Sequence, residues 1–210
     1  MIDLEEQEQV DALKAWWKRH GNTVLMAVAV FAAVVAGIQG WRLYQSNQTQ
    51  QAAGLYDLLQ NASQNKDTKK IRDAAGQIME KFPGTAYAAR AALISARANY
   101  DSGDSKSAKA QLQWVLEHAK EEPIQDEARL RLAGVLLDEK NFVEALKLLD
   151  AKHGEAYAGL YSDLKGDVLA AQGQPDAARK AYLAALEKID KKSPFSKFVQ
   201  IKLDSLGESK

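Results

Sequence analysis

The sequence predicts an all-α chain, with a single N-terminal transmembrane helix followed by an α-solenoid of short helix pairs. Three observations carry this. Residues 23–41, TVLMAVAVFAAVVAGIQGW, contain no charge and no proline. Only 4 of the 210 residues are proline, while Ala, Leu, Lys, Gln and Glu make up much of the rest, a composition that favours helix throughout. Beyond residue 67, helical patterns alternate with breaks of a few residues, and similar segments recur at a period of about 34.

The apolar run is long enough to cross a bilayer. From Val24 to Ile38 every residue is apolar or glycine, and the distance from Trp17 to Trp41 is roughly 36 Å at helical rise, against a ~30 Å hydrocarbon core. A cleaved signal peptide and a buried core helix compete with this reading, and the flanks decide between them. Indole rings and cations sit at both ends, as interfacial anchors do. Asp3, Glu5, Glu6, Glu8 and Asp11 precede the run where a signal peptide would carry a short basic region. Lys14, Lys18 and Arg19 lie before the span, whereas Arg42 alone follows it closely. The excess of cations places the N-terminus in the cytoplasm and the bulk of the chain across the membrane.

Composition limits what that bulk can be. About 165 residues beyond the span make one modest domain. The whole chain carries 28 basic and 28 acidic residues, so no bulk field draws it to nucleic acid. Cysteine is absent, which removes disulfides, thiolate nucleophiles and sulfur-ligated metals.

In order, the chain divides into a short cytoplasmic segment (1–22), the transmembrane helix (23–41), a linker or stalk helix (42–66) that Gly54 could interrupt, and a repeat domain (67–210). Val10, Leu13 and Trp17 recur on one side of the first segment. They fit either a docking site for a cytoplasmic partner or a segment that only sets topology. Within the span, Ala29, Ala33 and Gly37 form one row of small residues, and Ala32, Ala36 and Gly40 form a second. Rows of this kind let a second membrane helix approach closely, although small residues are common in spans.

The repeat domain breaks at Pro83-Gly84, at residues 101–105, 121–123, 139–141, 152–154 and 172–176, and at Ser193-Pro194. Breaks this short make consecutive helices antiparallel neighbours. The clearest copy is LKGDVLAAQGQPDAARKAYLAALEKID, where Gly166, Gly173, Ala178, Tyr182, Ala185 and Leu186 match the tetratricopeptide pattern of small and aromatic positions. Ala96, Gly103, Ala108, Leu112 and Val115 are equivalent in an earlier copy, and Ala133, Lys140, Ala145 and Leu149 in the one between, where Lys152 replaces a small residue. A fourth, degenerate unit includes Ala74, Ala75 and the segment KFPGTAYAARAAL.

An acidic N-terminus, a single span ending in Gly40-Trp41-Arg42 and a degenerate tetratricopeptide-like α-solenoid of this length together resemble the bacterial YfgM family. The resemblance covers essentially the whole chain and rests on layout. It implies an inner-membrane protein with a periplasmic repeat domain that associates with the SecYEG translocon and with the membrane-anchored periplasmic chaperone PpiD. An envelope-assembly or division adaptor, and a stress-signalling role for the cytoplasmic segment, remain open beside it.

No catalytic, cofactor or metal constellation is legible. Phosphate loops and the HExxH pattern are missing, and His20, His118 and His153 are far apart. No enzyme activity and no small-molecule substrate are expected. The tetratricopeptide pattern places helices A on the concave side. It therefore nominates Arg90, Leu93, Arg97 and Tyr100, then Glu127, Leu130 and Leu137, then Asp163 and Asp167, as a partner groove basic at one end and acidic at the other. Solvated charges with no ligand are the alternative.

Overall fold

The computed structural model describes the backbone of residues 2–207 and side chains from Glu8 onward; residues 1 and 208–210, and the side chains of Asp3, Glu5 and Glu6, lie outside it. Regular structure among the described residues is entirely helical. Helix α1 (Ile2–Gln64) is followed by α2 (Thr68–Lys81), α3 (Ala86–Asp101), α4 (Ser105–His118), α5 (Glu122–Asp138) and α6 (Phe142–Leu149). A 3-10 turn (Glu155–Tyr157) then leads into α7 (Ala158–Ala171), α8 (Pro175–Lys188) and α9 (Pro194–Ser205). The chain divides into two compact units, Met1–Gln50 and Gln51–Lys210.

The first unit is bare helix. Leu25, Met26, Val28, Val30, Phe31, Val34, Val35 and Ile38 are each at least 40% exposed, and this helix is long and apolar enough to cross a membrane. Such a face is unfavourable in water and well solvated by lipid. Aromatic pairs stand at both ends, Trp16 beside Trp17 and Trp41 beside Tyr44, with ring centroids 6.4 and 5.9 Å apart. Indole and phenol rings of this kind suit the membrane interface.

The second unit begins inside α1. Gly54 does not interrupt the helix, and residues 51–64, read from sequence as part of a linker, belong to the solenoid. Leu59 and Ala62 pack with Ile71, Ala74, Ala75 and Ile78 of α2 and with Ala88 and Ala91 of α3. Helix α2 is thus helix B of a first pair whose helix A is the end of α1, rather than the partner of α3 in a degenerate unit.

One local motif marks every pair. Lys66, Gly103, Lys140, Gly173 and Gly207 all have positive φ, between 55° and 84°, at intervals of 37, 37, 33 and 34 residues. Each ends a helix A. The amides of Asp67, Asp104, Asn141 and Gln174 donate back to the carbonyls of Ala62, Asn99, Leu136 and Leu169 at 2.8–3.0 Å, which closes the orphan carbonyls of the helix end. Asp67 and Asp104 then cap the next helix by accepting from the amides of Lys70 and Ser107. A left-handed C-cap followed at once by an N-cap folds each helix B back on its helix A.

Packing follows from this turn. Helix α3 lies on α5 and α5 on α7, while α4 reaches α5, α6 reaches α7 and α8 reaches α9. Helices α3, α5 and α7 form one layer, which α9, the last helix among the described residues, extends in the helix A position. Small residues allow the close approach: a Cβ on Gly166 would lie 2.4 Å from the Tyr182 ring and one on Gly159 2.6 Å from Ile189. The third pair departs from the pattern because α6 stops at Leu149, leaving Lys152 outside the helix. Buried Asp126 pins the loop that replaces the missing turns, accepting from the Gly154 amide at 2.9 Å and from Arg129 at 2.7 Å.

Candidate functional site

The layer of A helices presents the residues nominated from sequence. Counting back from each left-handed cap residue puts Arg90, Glu127, Leu160 and Pro194 in one row, Ile94, Arg131, Leu164 and Phe198 in a second, and Arg97, Gly134, Asp167 and Ile201 in a third. Short turns of constant geometry hold these rows in register across the solenoid.

Between α3 and α5 the rows form an open groove. Arg97, Tyr100, Arg131, Gly134 and Asp138 surround a depression of about 220 Å³ floored by Ala96. Arg97 and Arg131 also border a neighbouring hollow of about 530 Å³ that reaches Ser63 and Lys66. The charges here are paired on the surface. Arg97 donates to Asp101 at 2.8 Å, Arg131 to Glu127, and the Tyr100 hydroxyl to Asp138 across the helices. Arg90 makes a bidentate contact to Glu121 at 2.8 and 3.0 Å. That hydrogen-bonded pair raises the guanidinium pKa and holds the Glu121 carboxyl below its ordinary value.

Between α7 and α9 the rows stay exposed at Leu160, Phe198 and Ile201, but an ion-pair cluster spans the gap between the two helices. Asp163 is 6% exposed and accepts from Lys202 of α9 through both oxygens, at 3.0 and 2.8 Å. The same ammonium reaches Asp167 at 2.7 Å, and the Tyr182 hydroxyl donates to the other Asp167 oxygen at 2.9 Å. Burial raises the Asp163 carboxyl pKa against the pull of Lys202. Burial also depresses Lys202, but hydrogen bonds to the two carboxylates more than compensate and leave its pKa raised.

The structure therefore brings Arg97 and Tyr100 together, with Arg90 on the same face. Leu93 is buried in the core, where its carbonyl accepts from Arg131; Leu130 and Leu137 are half-buried against the same core. Glu127 is engaged by Arg131. Asp163 and Asp167 stand in the predicted rows, but both are engaged by the single ammonium of Lys202. The sequence reading passed over Ile94, Arg131, Asp138, Phe198 and Ile201. Counting back from Gly103, Lys140 and Gly207 finds Ile94, Arg131, Phe198 and Ile201, provided that Lys140 is read as left-handed; Asp138 lies outside those rows and is marked only by its contact with Tyr100.

The two small-residue rows of the span, Ala29, Ala33, Gly37 and Ala32, Ala36, Gly40, are exposed along α1. A Cβ on Gly37 or Gly40 would meet nothing within 4 Å. Among the described residues no group of three His, Asp or Glu could hold a metal ion. His20, His118 and His153 stack on Trp16, Trp114 and Tyr161, with centroids 5.3, 4.3 and 4.0 Å apart.

Relatives agree with this architecture. The family model described as a tetratricopeptide repeat-like domain matches residues 14–208. A Neisseria gonorrhoeae protein named ancillary SecYEG translocon subunit is 36% identical over 207 residues, covering 97% of this chain and 98% of the relative. Proteins of the same name are 33% identical over 205 residues in Escherichia coli, covering 96% and 97%, and 31% identical over 182 residues in Haemophilus influenzae, covering 85% and 87%. A repeat model spanning nearly the whole chain and near end-to-end similarity above 30% identity place it plainly: the chain belongs to the YfgM family of tetratricopeptide repeat-like proteins.

Proposed function

We propose that the chain is an inner-membrane-anchored periplasmic scaffold that associates with the SecYEG translocon and with the chaperone PpiD, assisting the handover of newly translocated proteins. The observation that carries this reading is the near end-to-end similarity to relatives named as translocon subunits. Residues 1–22 stay in the cytoplasm, residues 23–41 cross the bilayer and the repeat unit stands in the periplasm, as the cations Lys14, Lys18 and Arg19 before the span favour.

The scaffold acts by holding, not by catalysis. The groove between α3 and α5 takes a partner segment, whose charges replace the surface contacts of Arg97 and Arg131. The small-residue rows of the span pack against a membrane helix of the same assembly. Val10, Leu13, Trp16 and Trp17, all exposed, offer the cytoplasmic segment a partner of its own.

Crosslinking in membranes followed by purification in mild detergent tests the reading. Translocon subunits and PpiD are expected together with the chain; recovery of neither overturns it. Protease added to spheroplasts should degrade the repeat unit and spare the first residues. Protection of the repeats would reverse the topology and remove the periplasmic role.

A further inference from the structure

The solenoid's last described helix exposes an ordered seam. Val199 and Leu203 bury one side of α9, while Phe198 and Ile201 on the other side are 63% and 64% exposed. Pro194, Phe198, Ile201 and Ser205 follow at spacings of four, three and four, the pattern of a two-stranded helical seam. Lys197 and Asp204 flank it along one edge, two turns and roughly 10 Å apart. Among the described residues Lys197 has no carboxylate within ion-pair distance, and Asp204 receives only the side-chain amide of Gln200, at 2.7 Å on one oxygen.

The orientation of those two charges identifies the occupant. A second α9 laid parallel about a two-fold axis would put the edges that carry Lys197 and Asp204 on opposite sides of the pair, where each faces the other flank with Lys202 and the two charges do not meet. Laid antiparallel about a two-fold axis, it sets Lys197 of each copy against Asp204 of the other, and Phe198 against Ile201. The edge is complementary to itself, as an isologous contact must be. We propose that α9 is a self-association surface, on which a second copy of this chain pairs antiparallel through Phe198 and Ile201 with reciprocal Lys197–Asp204 contacts. A few turns of helix bury less than the ~1,200 Å² of a stable interface, so the pairing is weak and reversible. It does not depend on the translocon reading.

Sedimentation of the full chain in detergent micelles over a series of protein concentrations tests this directly. The natural chain is expected to pass from monomer to dimer. Lys197→Asp or Asp204→Lys alone should weaken pairing about tenfold, because symmetry turns two attractive contacts repulsive. The double swap should restore it, and Phe198→Ser should abolish it. All three substituted positions are exposed, and unchanged helical content by circular dichroism establishes that folding is retained. A chain that is monomeric throughout overturns the proposal. So does a dimer indifferent to the single swaps, as one held by the span would be, or a double swap that fails to rescue.

Discussion

Arg97 of α3 and Asp167 of α7 occupy the same row of the same layer, yet they are used in opposite ways. Arg97 pairs with Asp101 one turn away on its own helix, at the lip of an open groove. Asp167 is tied to Lys202 and Tyr182 on two other helices. Exposed pairs within a helix contribute roughly 0–1 kcal/mol and can be exchanged for a partner's charges at little cost. The same ammonium holds buried Asp163 from 39 residues away, and that carboxylate cannot be released without leaving a charge unpaired in the interior. In the proposed function the α3–α5 stretch recognises a partner, whereas the ion pairs of the α7–α9 stretch hold the fold together.

The largest expected effect lies in the α7–α9 stretch. The Tyr182 ring is 3% exposed and fills the space over Gly166. Tyr182→Ala should lower unfolding free energy by about 3–5 kcal/mol in urea titrations. Lys202→Ala should cost about 2 kcal/mol, at the low end for a broken buried pair because the lysine is one-third exposed. Adding Asp163→Asn to that variant should recover part of the loss. An equal penalty from Arg97→Ala would break the comparison.

Acid separates the halves by sign. Glu121 is held below its ordinary 4.5, so it binds a proton less readily folded than unfolded. Its contribution to stability is complete above that value and is lost as pH falls through the depressed one. Asp163 is raised above its ordinary 3.8 and binds a proton more readily when folded. Its contribution favours the fold at low pH and fades as pH rises through the raised value. Urea midpoints between about pH 3 and 6 should fall less steeply toward acid in Glu121→Gln and more steeply in Asp163→Asn. The same change of slope in both variants would contradict the assignment.

Most helix ends of the repeat unit were legible to within a residue or two, because the breaks carry Pro, Gly, Asp or Asn where helices must end or start; α7 is an exception, beginning at Ala158 after the 3-10 turn that follows the break at 152–154. Three of the four pairs were legible from Ala108, Ala145 and Ala178, the small residues that let helix B approach. The first pair was hidden because its helix A continues from the apolar helix without a break and because Lys66, not glycine, takes the left-handed turn. Leu93 stands one position from half-buried Ile94, which borders the hollow, and that single step of 100° around the helix turns Leu93 into the core. The engagement of Asp163 and Asp167 by Lys202 was not legible at all. It depends on where α9 docks, and no local pattern around Lys202 announces that contact.

In the proposed function, partners meet the groove side of the repeat unit. A photoreactive residue at Tyr100 on that groove, compared with one at Val143, 72% exposed on helix B of the third pair, tests it in intact cells. Adducts with translocon or chaperone subunits from position 100 and none from position 143 are the predicted result. Adducts from position 143 alone would contradict it.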